Sequence, residues 1–363
     1  MKIIQMIKSC AAVAGLFFIS NQAMADCRFT AAMQGLLTVI GTMPLQGGNI
    51  TVGRDVALGS VVWEQTFQSA TPMPVTCTLG SYSITDKFGL SIRPLPLSGW
   101  VGVPWGANVY QTGVPGIGVA LMNDGRMLPY ERALNNCTAT TGACVTDARL
   151  TSGVSWLFIK IGNVSSGTIQ GAQLPTMTRT WTSSNEFQII RVTVSGTLNV
   201  VSRTCVTPDV MVQMGIHSIE EVGTLGWKDF SINLNNCPAF HGSFGGSVWM
   251  SDGTLPYDVY RKPNTLAIQI DPTIEPFDPI TGILNLNNSG PGNPAAATGV
   301  GLQIAYSSGD PMSFGELNPT GITPTTNEGE SYSIPLKARY VLTEGPVQPG
   351  PANATAVFTI IYE

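Results

Sequence analysis

The fold is decided by the stretch Ala354-Thr355-Ala356-Val357-Phe358-Thr359-Ile360-Ile361-Tyr362-Glu363, at the end of the sequence. Its apolar residues alternate with the others, and a period of two predicts a β-strand with one apolar face. The unpaired N–H and C=O groups of a strand edge invite pairing with another strand. No later segment is present to cover this edge. The pattern alone leaves two structures open, an ordinary edge strand and a strand that pairs with a second chain.

The first 25 residues have the features of a secretory signal peptide. Lys2 and Lys8 precede an apolar run over residues 10–19, and residues 23–25 form a small-x-small cleavage signal. This run is too short to span a bilayer comfortably, and no later run is long enough. We therefore expect an exported protein without membrane insertion, whose mature chain begins at residue 26.

The cysteine count fits an oxidising compartment. Cys10 is lost when the signal peptide is cleaved, and an even number of cysteines remains. A metal site is not expected, because no Cys-x-x-Cys spacing occurs and the sequence has only 2 histidines. Six cysteines allow fifteen pairings, and pairing in order along the chain is the simplest. That order gives Cys27–Cys77, Cys137–Cys144 and Cys205–Cys237.

Composition indicates a polar surface that carries few charges. Charged residues make up 11% of the chain, against about 25% in a typical soluble domain. The formal net charge of −5 becomes −7 once Lys2 and Lys8 leave with the signal peptide. A chain with this balance has no basic footprint for nucleic acid or an anionic membrane, so we exclude both as partners.

The pattern along the chain is one of short strands separated by turns. Convincing helical periodicity is absent, and the most helix-like piece is residues 130–136. Strands are predicted where β-branched and aromatic residues lie between Gly, Pro, Asn and Asp breakers: 50–52, 59–63, 82–84, 156–161 and 187–194. We predict an all-β protein with two β-sandwich domains, because the mature chain is too long for one ordinary core.

The domain boundary is predicted near residue 201, where a new pattern starts. Residues 210–214 alternate and predict a strand, and residues 230–237 predict a second one that ends on Cys237. A disulfide from Cys205 to Cys237 would join neighbouring strands or sheets. The resulting division is signal peptide 1–25, N-terminal domain 26–201 and C-terminal domain 202–363.

Four segments in the C-terminal domain resemble the pilin domain of chaperone–usher fimbriae of Gram-negative bacteria. They are Cys205 with residues 230–237, residues 298–304, residues 334–340, and the final strand to Tyr362. The whole chain is similar to the two-domain tip adhesins of these fibres, a family that includes the type 1 fimbrial adhesins. This resemblance implies an incomplete immunoglobulin-like fold that lacks its last strand.

The same resemblance implies three protein partners. A periplasmic chaperone lends the missing strand, an outer-membrane usher exports the subunit, and an adjacent pilin subunit donates the permanent strand. The implied chaperone and donor-strand groove residues are Ala354, Ala356, Phe358, Ile360, Tyr362 and Glu363. Only Asp26 precedes Cys27 in the mature chain, so no donor extension is present. We therefore expect a subunit at the fimbrial tip on the cell surface.

The N-terminal domain is then expected to carry the receptor site. Residues 50–55, 116–119 and 159–169 resemble strands of fimbrial adhesin domains outside the mannose-specific branch, and the mature chain starts with Asp26 where mannose-binding relatives have Phe. Sugar sites combine an aromatic platform with amide or carboxylate groups. On that chemistry the candidate ligand-binding residues are Trp100, Trp105, Tyr110, Asn123 and Asp124. Core packing for the tryptophans and a hairpin turn for Asn123 and Asp124 are the alternatives.

No catalytic function is predicted, and no cofactor. The sequence lacks the G-x-S-x-G, H-E-x-x-H and G-x-x-x-x-G-K-[ST] motifs. Three functions remain open: a lectin that binds a carbohydrate receptor, an adhesin for an extracellular-matrix protein, and a structural tip or minor pilin subunit without a ligand.

Overall fold

The computed structural model describes residues 26–30, 33, 35–78, 84–134, 143–183, 185–256 and 260–363. The predicted signal peptide and Cys137 lie outside these ranges. Within them, no helix has the length and apolar character needed to cross a membrane.

The described chain is all-β, as the sequence predicts. Two short 3-10 helices accompany the strands, Gly171–Gln173 and Val222–Thr224. Residues 26–201 form β1 Cys27–Phe29, β2 Val39–Pro44, β3 Asn49–Thr51, β4 Val61–Gln68, β5 Pro74–Thr78, β6 Thr85–Ile92, β7 Tyr110–Gln111, β8 Ile117–Asn123, β9 Arg126–Met127, β10 Tyr130–Ala133, β11 Ala143–Asp147, β12 Val154–Lys160, β13 Gly167–Gln170, β14 Thr176–Thr182, β15 Glu186–Ser195 and β16 Thr197–Val201. Residues 202–363 form β17 Lys228–Cys237, β18 Ser243–Met250, β19 Tyr260–Lys262, β20 Leu266–Pro272, β21 Ile283–Leu284, β22 Val300–Tyr306, β23 Asn318–Pro319, β24 Glu330–Leu342 and β25 Ala356–Tyr362.

Two large sheets build the core of residues 26–201. One has the strand order β10-β6-β14-β15-β2, and the other contains β4, β12, β8 and β7. Their inner faces contribute to one apolar cluster, in which Trp63, Phe158, Phe88 and Trp181 are buried. Two three-stranded sheets, β1-β5-β11 and β13-β16-β3, complete this part of the molecule.

Residues 202–363 form a sandwich of two antiparallel sheets. The first has the order β17-β24-β22-β21, and the second has the order β23-β20-β25. Ile232 and Leu336 from the first sheet and Ile268 and Ile360 from the second are buried in one shared core. The terminal strand β25 lies at the edge of its sheet, as its sequence pattern predicts.

One sheet crosses the predicted domain boundary. Strand β18 pairs in parallel with β4, and β19 extends the same sheet beyond β18. Phe244 of β18 is buried against Trp63 of β4, with ring centroids 5.7 Å apart and nearly parallel planes. No pattern in the sequence predicts this pairing.

Residues 130–133, within the most helix-like piece of the sequence, form β10 and pair with β6. One local prediction is wrong. Residues 210–214 alternate like a strand but form none, because no neighbouring strand supplies backbone partners along this segment of the described chain.

The disulfides Cys27–Cys77 and Cys205–Cys237 are present, as predicted. The first joins the paired strands β1 and β5. The second joins the start of the C-terminal sandwich to the end of β17. Cys144 is disulfide-bonded, and its predicted partner Cys137 is outside the described residues.

Candidate functional site

A groove of about 540 Å³ runs between the two sheets of the C-terminal sandwich. One rim is formed by residues 210–215, and the other is formed by residues 352–356 and Phe358. Apolar side chains of the sandwich core form its floor, among them Ile232, Ile270 and Leu302. The groove is therefore a gap in the hydrophobic core, open along one side.

The segment that forms the first rim has no strand partner. Val210, Val212 and Met214 are half-buried and alternate with exposed residues, so the side-chain pattern of a strand is present. An isolated bridge joins Val206 to Asn235 where the segment begins. Beyond it, in the described chain, no backbone hydrogen bond links residues 207–217 to another strand.

The second rim continues into β25, and this strand is paired on one side only. Its partner is the antiparallel strand β20, and no described strand pairs with its other edge. Glu363 and Thr265 exchange both backbone hydrogen bonds, at 2.9 and 3.1 Å. Residues directly opposite each other alternate between bonded and non-bonded pairs in an antiparallel ladder. The N–H and C=O groups of the even-numbered residues of β25 therefore point to the other edge.

The predicted groove residues differ in burial along the strand. Ala354, Ala356 and Phe358 are half-buried beside the groove, whereas Ile360 and Tyr362 are buried. The Tyr362 ring lies parallel to that of Phe240, and its hydroxyl accepts a hydrogen bond from the Cys205 N–H at 3.2 Å. Burial raises the pKa of the Tyr362 hydroxyl. The groove is thus open at one end of β25 and filled at the other.

A loop from the N-terminal part of the chain contacts the filled end. The Asp55 N–H donates to the Tyr362 carbonyl at 3.2 Å, and an Asp55 carboxylate oxygen accepts from the Tyr362 N–H at 2.9 Å. Arg54 Nη2 donates to the Ile360 carbonyl at 2.9 Å. Sequence reasoning missed this pair, because a local Arg-Asp dipeptide carries no signal for a contact with a strand about 300 residues away.

The Lys160 side chain holds this loop in place through hydrogen bonds. Its side chain is buried, and Nζ donates to the carbonyl oxygens of Gly53 and Arg54. Burial lowers the pKa of the Lys160 ammonium, an effect that the nearby Asp55 carboxylate opposes. Asn264 also joins the N-terminal part of the chain to the end of the terminal strand. Its Nδ2 donates to the Thr51 and Glu363 carbonyl oxygens, both at 3.1 Å.

The two candidate tryptophans lie in a loop that packs on the outer face of the sheet containing β8 and β12. Trp105 is 7% exposed, and its indole N–H donates to the Gly59 carbonyl at 2.8 Å. Trp100 is partly buried, and its ring lies so close to Gly102 that a Cβ there would be 2.2 Å from it. Val103, between them, is 95% exposed.

The other candidate ligand residues have structural partners. Tyr110 is buried in β7. The Asn123 amide donates to the Gly153 carbonyl at 2.5 Å and accepts from the Tyr130 hydroxyl at 2.6 Å. Asp124 occupies the left-handed region, with φ of 51°, in the turn between β8 and β9, and it is exposed. The structure does not gather the five candidates into one pocket among the described residues.

A buried ion cluster in the N-terminal core was not predicted. Asp86 is fully buried and accepts hydrogen bonds from Arg179 Nε at 2.8 Å, Arg179 Nη2 at 2.9 Å and the Trp181 indole N–H at 3.0 Å. The more exposed Arg132 reaches the same carboxylate at 3.4 Å. All of these partners of Asp86 are side chains of the same sheet, which the hydrogen bonds hold together. We therefore interpret the cluster as structural.

The chain is similar to several known fimbrial proteins. A family model described as "Fimbrial protein" matches residues 192–363. A type-1 fimbrial protein subunit of Serratia marcescens is 31% identical over 182 residues, covering 47% of this chain and 86% of that protein. The receptor binding domain of the plasmid-born adhesin MrkD1P of Klebsiella pneumoniae is 20% identical with a TM-score of 0.33, covering 50% of this chain and 98% of that one. The CupB6 tip adhesin from Pseudomonas aeruginosa is 14% identical with a TM-score of 0.30, and the match covers 93% of this chain and 95% of that one.

The chain belongs to the fimbrial protein family. The resemblance to fimbrial proteins that was drawn from the sequence motifs is confirmed. Members of this family are structural and adhesive proteins, and fimbrial subunits are exported to the cell surface.

Proposed function

We propose that this protein is a fimbrial tip adhesin that joins its fibre by accepting a β-strand from an adjacent pilin subunit. The observation that carries the proposal is the groove between residues 210–215 and β25. No strand in the described part of the chain pairs with either rim on the groove side, and apolar side chains line the floor. A strand with alternating apolar residues would complete the backbone pairing and the core together.

A periplasmic chaperone would occupy the same groove before assembly at the outer-membrane usher. An exposed apolar groove with an unpaired edge is an aggregation hazard, so a chain in transit needs a temporary strand. The chaperone strand would contact the same row of residues, Ala354, Ala356 and Phe358. Their side chains are half-buried while the groove is open.

Receptor binding is assigned in this proposal to residues 26–201, with a glycan as the first candidate. Trp100 is the member of the predicted set that combines an aromatic ring with partial exposure, beside the exposed Val101 and Val103. A matrix protein is the alternative receptor. An array of glycans and a panel of matrix proteins, both probed with the mature chain in complex with a strand peptide, would separate the two.

Strand acceptance is tested with a peptide of alternating valine and threonine added to the refolding mature chain, residues 26–363. We expect a soluble, protease-resistant complex, because a ligand that binds only the folded state stabilises it. Phe358→Asp places a charge in the groove and should abolish the complex. Val357→Asp is the matched control, because Val357 is 57% exposed on the opposite face of β25. Equal effects of the two substitutions, or no change on adding peptide, would refute strand acceptance.

A further inference from the structure

The unpaired edge formed by residues 352–362, which comprise β25 and the segment before it, is open over only part of its length. At one end, the Ala352 carbonyl accepts a hydrogen bond from the Tyr340 hydroxyl at 2.8 Å. At the other end, the Ile360 carbonyl and both backbone groups of Tyr362 are bonded to Arg54 and Asp55. The backbone groups left for another strand are those of Ala354, Ala356 and Phe358 and the N–H of Ile360.

We propose that the loop of residues 53–55 is a stop that sets the length and register of the donated strand. The inference rests on the proposed strand acceptance and adds a specificity determinant to it. A donor can pair with this edge from Ala354 as far as the Ile360 N–H and no further, because Arg54 already bonds the Ile360 carbonyl and Asp55 bonds both backbone groups of Tyr362.

The packing at the stop agrees with the hydrogen bonds. Ile360 and Tyr362 are buried by the chain itself, so no apolar donor side chain is needed beside them. Gly53 lies against the strand end so closely that a Cβ would be 2.0 Å from the Tyr362 carbonyl oxygen. Lys160 fixes the loop through the Gly53 and Arg54 carbonyl oxygens, which makes it a positioning residue. A donor selected by this groove is therefore one whose alternating apolar run ends opposite Ile360.

The test compares two peptides of alternating valine and threonine on the full mature chain. The short peptide ends opposite Ile360, and the long peptide continues for two residues to reach Tyr362. We expect both to dissociate from the wild-type chain at rates within about twofold of each other, because the extra residues find no free edge groups. In Gly53→Ala, whose added Cβ displaces the loop, the long peptide should dissociate about tenfold more slowly than the short one, since both backbone groups of Tyr362 become available. In Asp55→Ala the difference should be about threefold, because only the Tyr362 N–H is freed and the Asp55 N–H still donates to the Tyr362 carbonyl.

Gly162→Ala is the matched control, because Gly162 is in the same part of the chain and a Cβ there meets only an ordinary contact at 3.9 Å. It should behave as wild type. A long peptide that dissociates tenfold more slowly from the wild-type chain as well would overturn the stop while leaving strand acceptance intact. Failure of both peptides to bind the wild-type chain would overturn both proposals.

A second measurement does not depend on the variants folding. Selective ¹⁵N labelling of phenylalanine, isoleucine and tyrosine reports amide exchange at Phe358, Ile360 and Tyr362 in the wild-type chain. We expect the short peptide to slow exchange at Phe358 and Ile360. In that complex Tyr362, which lies beyond the end of the short peptide, should exchange as slowly as Phe358 and Ile360. Fast exchange at Tyr362 in the short-peptide complex would contradict the stop.

Discussion

At the scale of single residues, the structure separates the two tryptophans that the sequence offers as equal ligand candidates. Trp105 is buried and its indole N–H is bonded to Gly59, whereas Trp100 is partly exposed. We expect Trp105→Ala to lower the free energy of unfolding by about 3–5 kcal/mol through a cavity. Trp100→Ala should cost about 1 kcal/mol, and the exposed control Val101→Ala within about 0.5 kcal/mol. Urea unfolding of the wild-type chain and the three variants measures these changes in the free energy of unfolding.

Adhesion gives the second readout of the same variants. If Trp100 contacts a receptor, Trp100→Ala weakens attachment while the chain stays folded. Equal destabilisation by Trp100→Ala and Trp105→Ala would show that both rings belong to the core of the loop. The sequence could not make this distinction, because Gly and Pro around a tryptophan indicate a loop and do not indicate whether the ring faces the protein or the solvent.

At the scale of elements, what the sequence could predict depended on whether the signal was local. Strand β25 was predictable, because five alternating apolar residues specify both the strand and its buried face. Residues 210–214 carry the same signal and yet form no strand, since a strand also needs a backbone partner. The parallel pairing of β18 with β4 joins segments far apart in the sequence, and no short-range pattern encodes it.

The β4–β18 pairing makes a testable contribution through Phe244. This ring is 1% exposed and covers Trp63, which also stacks on Phe158 with centroids 4.5 Å apart. We expect Phe244→Ala to cost about 3–5 kcal/mol and to shift tryptophan emission to longer wavelength as water reaches Trp63. Tyr260→Ala in the neighbouring β19 is the control, since Tyr260 is 66% exposed. If the two variants unfold alike, the shared sheet contributes nothing to stability.

At the scale of the whole molecule, burial of tyrosine hydroxyls fixes how stability responds to alkaline pH. Burial raises the pKa of Tyr130, Tyr306, Tyr340 and Tyr362 above the ordinary value of 10.0. Above pH 10 the unfolded chain therefore loses these protons before the folded chain does. Stability is fully present below that pH and falls as the pH rises. Lys160 acts in the opposite direction, because burial lowers its pKa below 10.5.

Four tyrosines outnumber the one lysine, so we expect a net loss of stability between pH 10 and 11. Each proton held by the folded chain alone contributes a slope of up to about 1.4 kcal/mol per pH unit. Tyr306→Phe removes one such proton and should flatten the slope, and Lys160→Met should steepen it, because the opposing group is then absent. Urea unfolding of the strand-peptide complex at a series of pH values gives the slopes directly. A stability that stays level or increases above pH 10 in the wild-type complex would mean that these hydroxyls are as accessible to water in the folded chain as in the unfolded one.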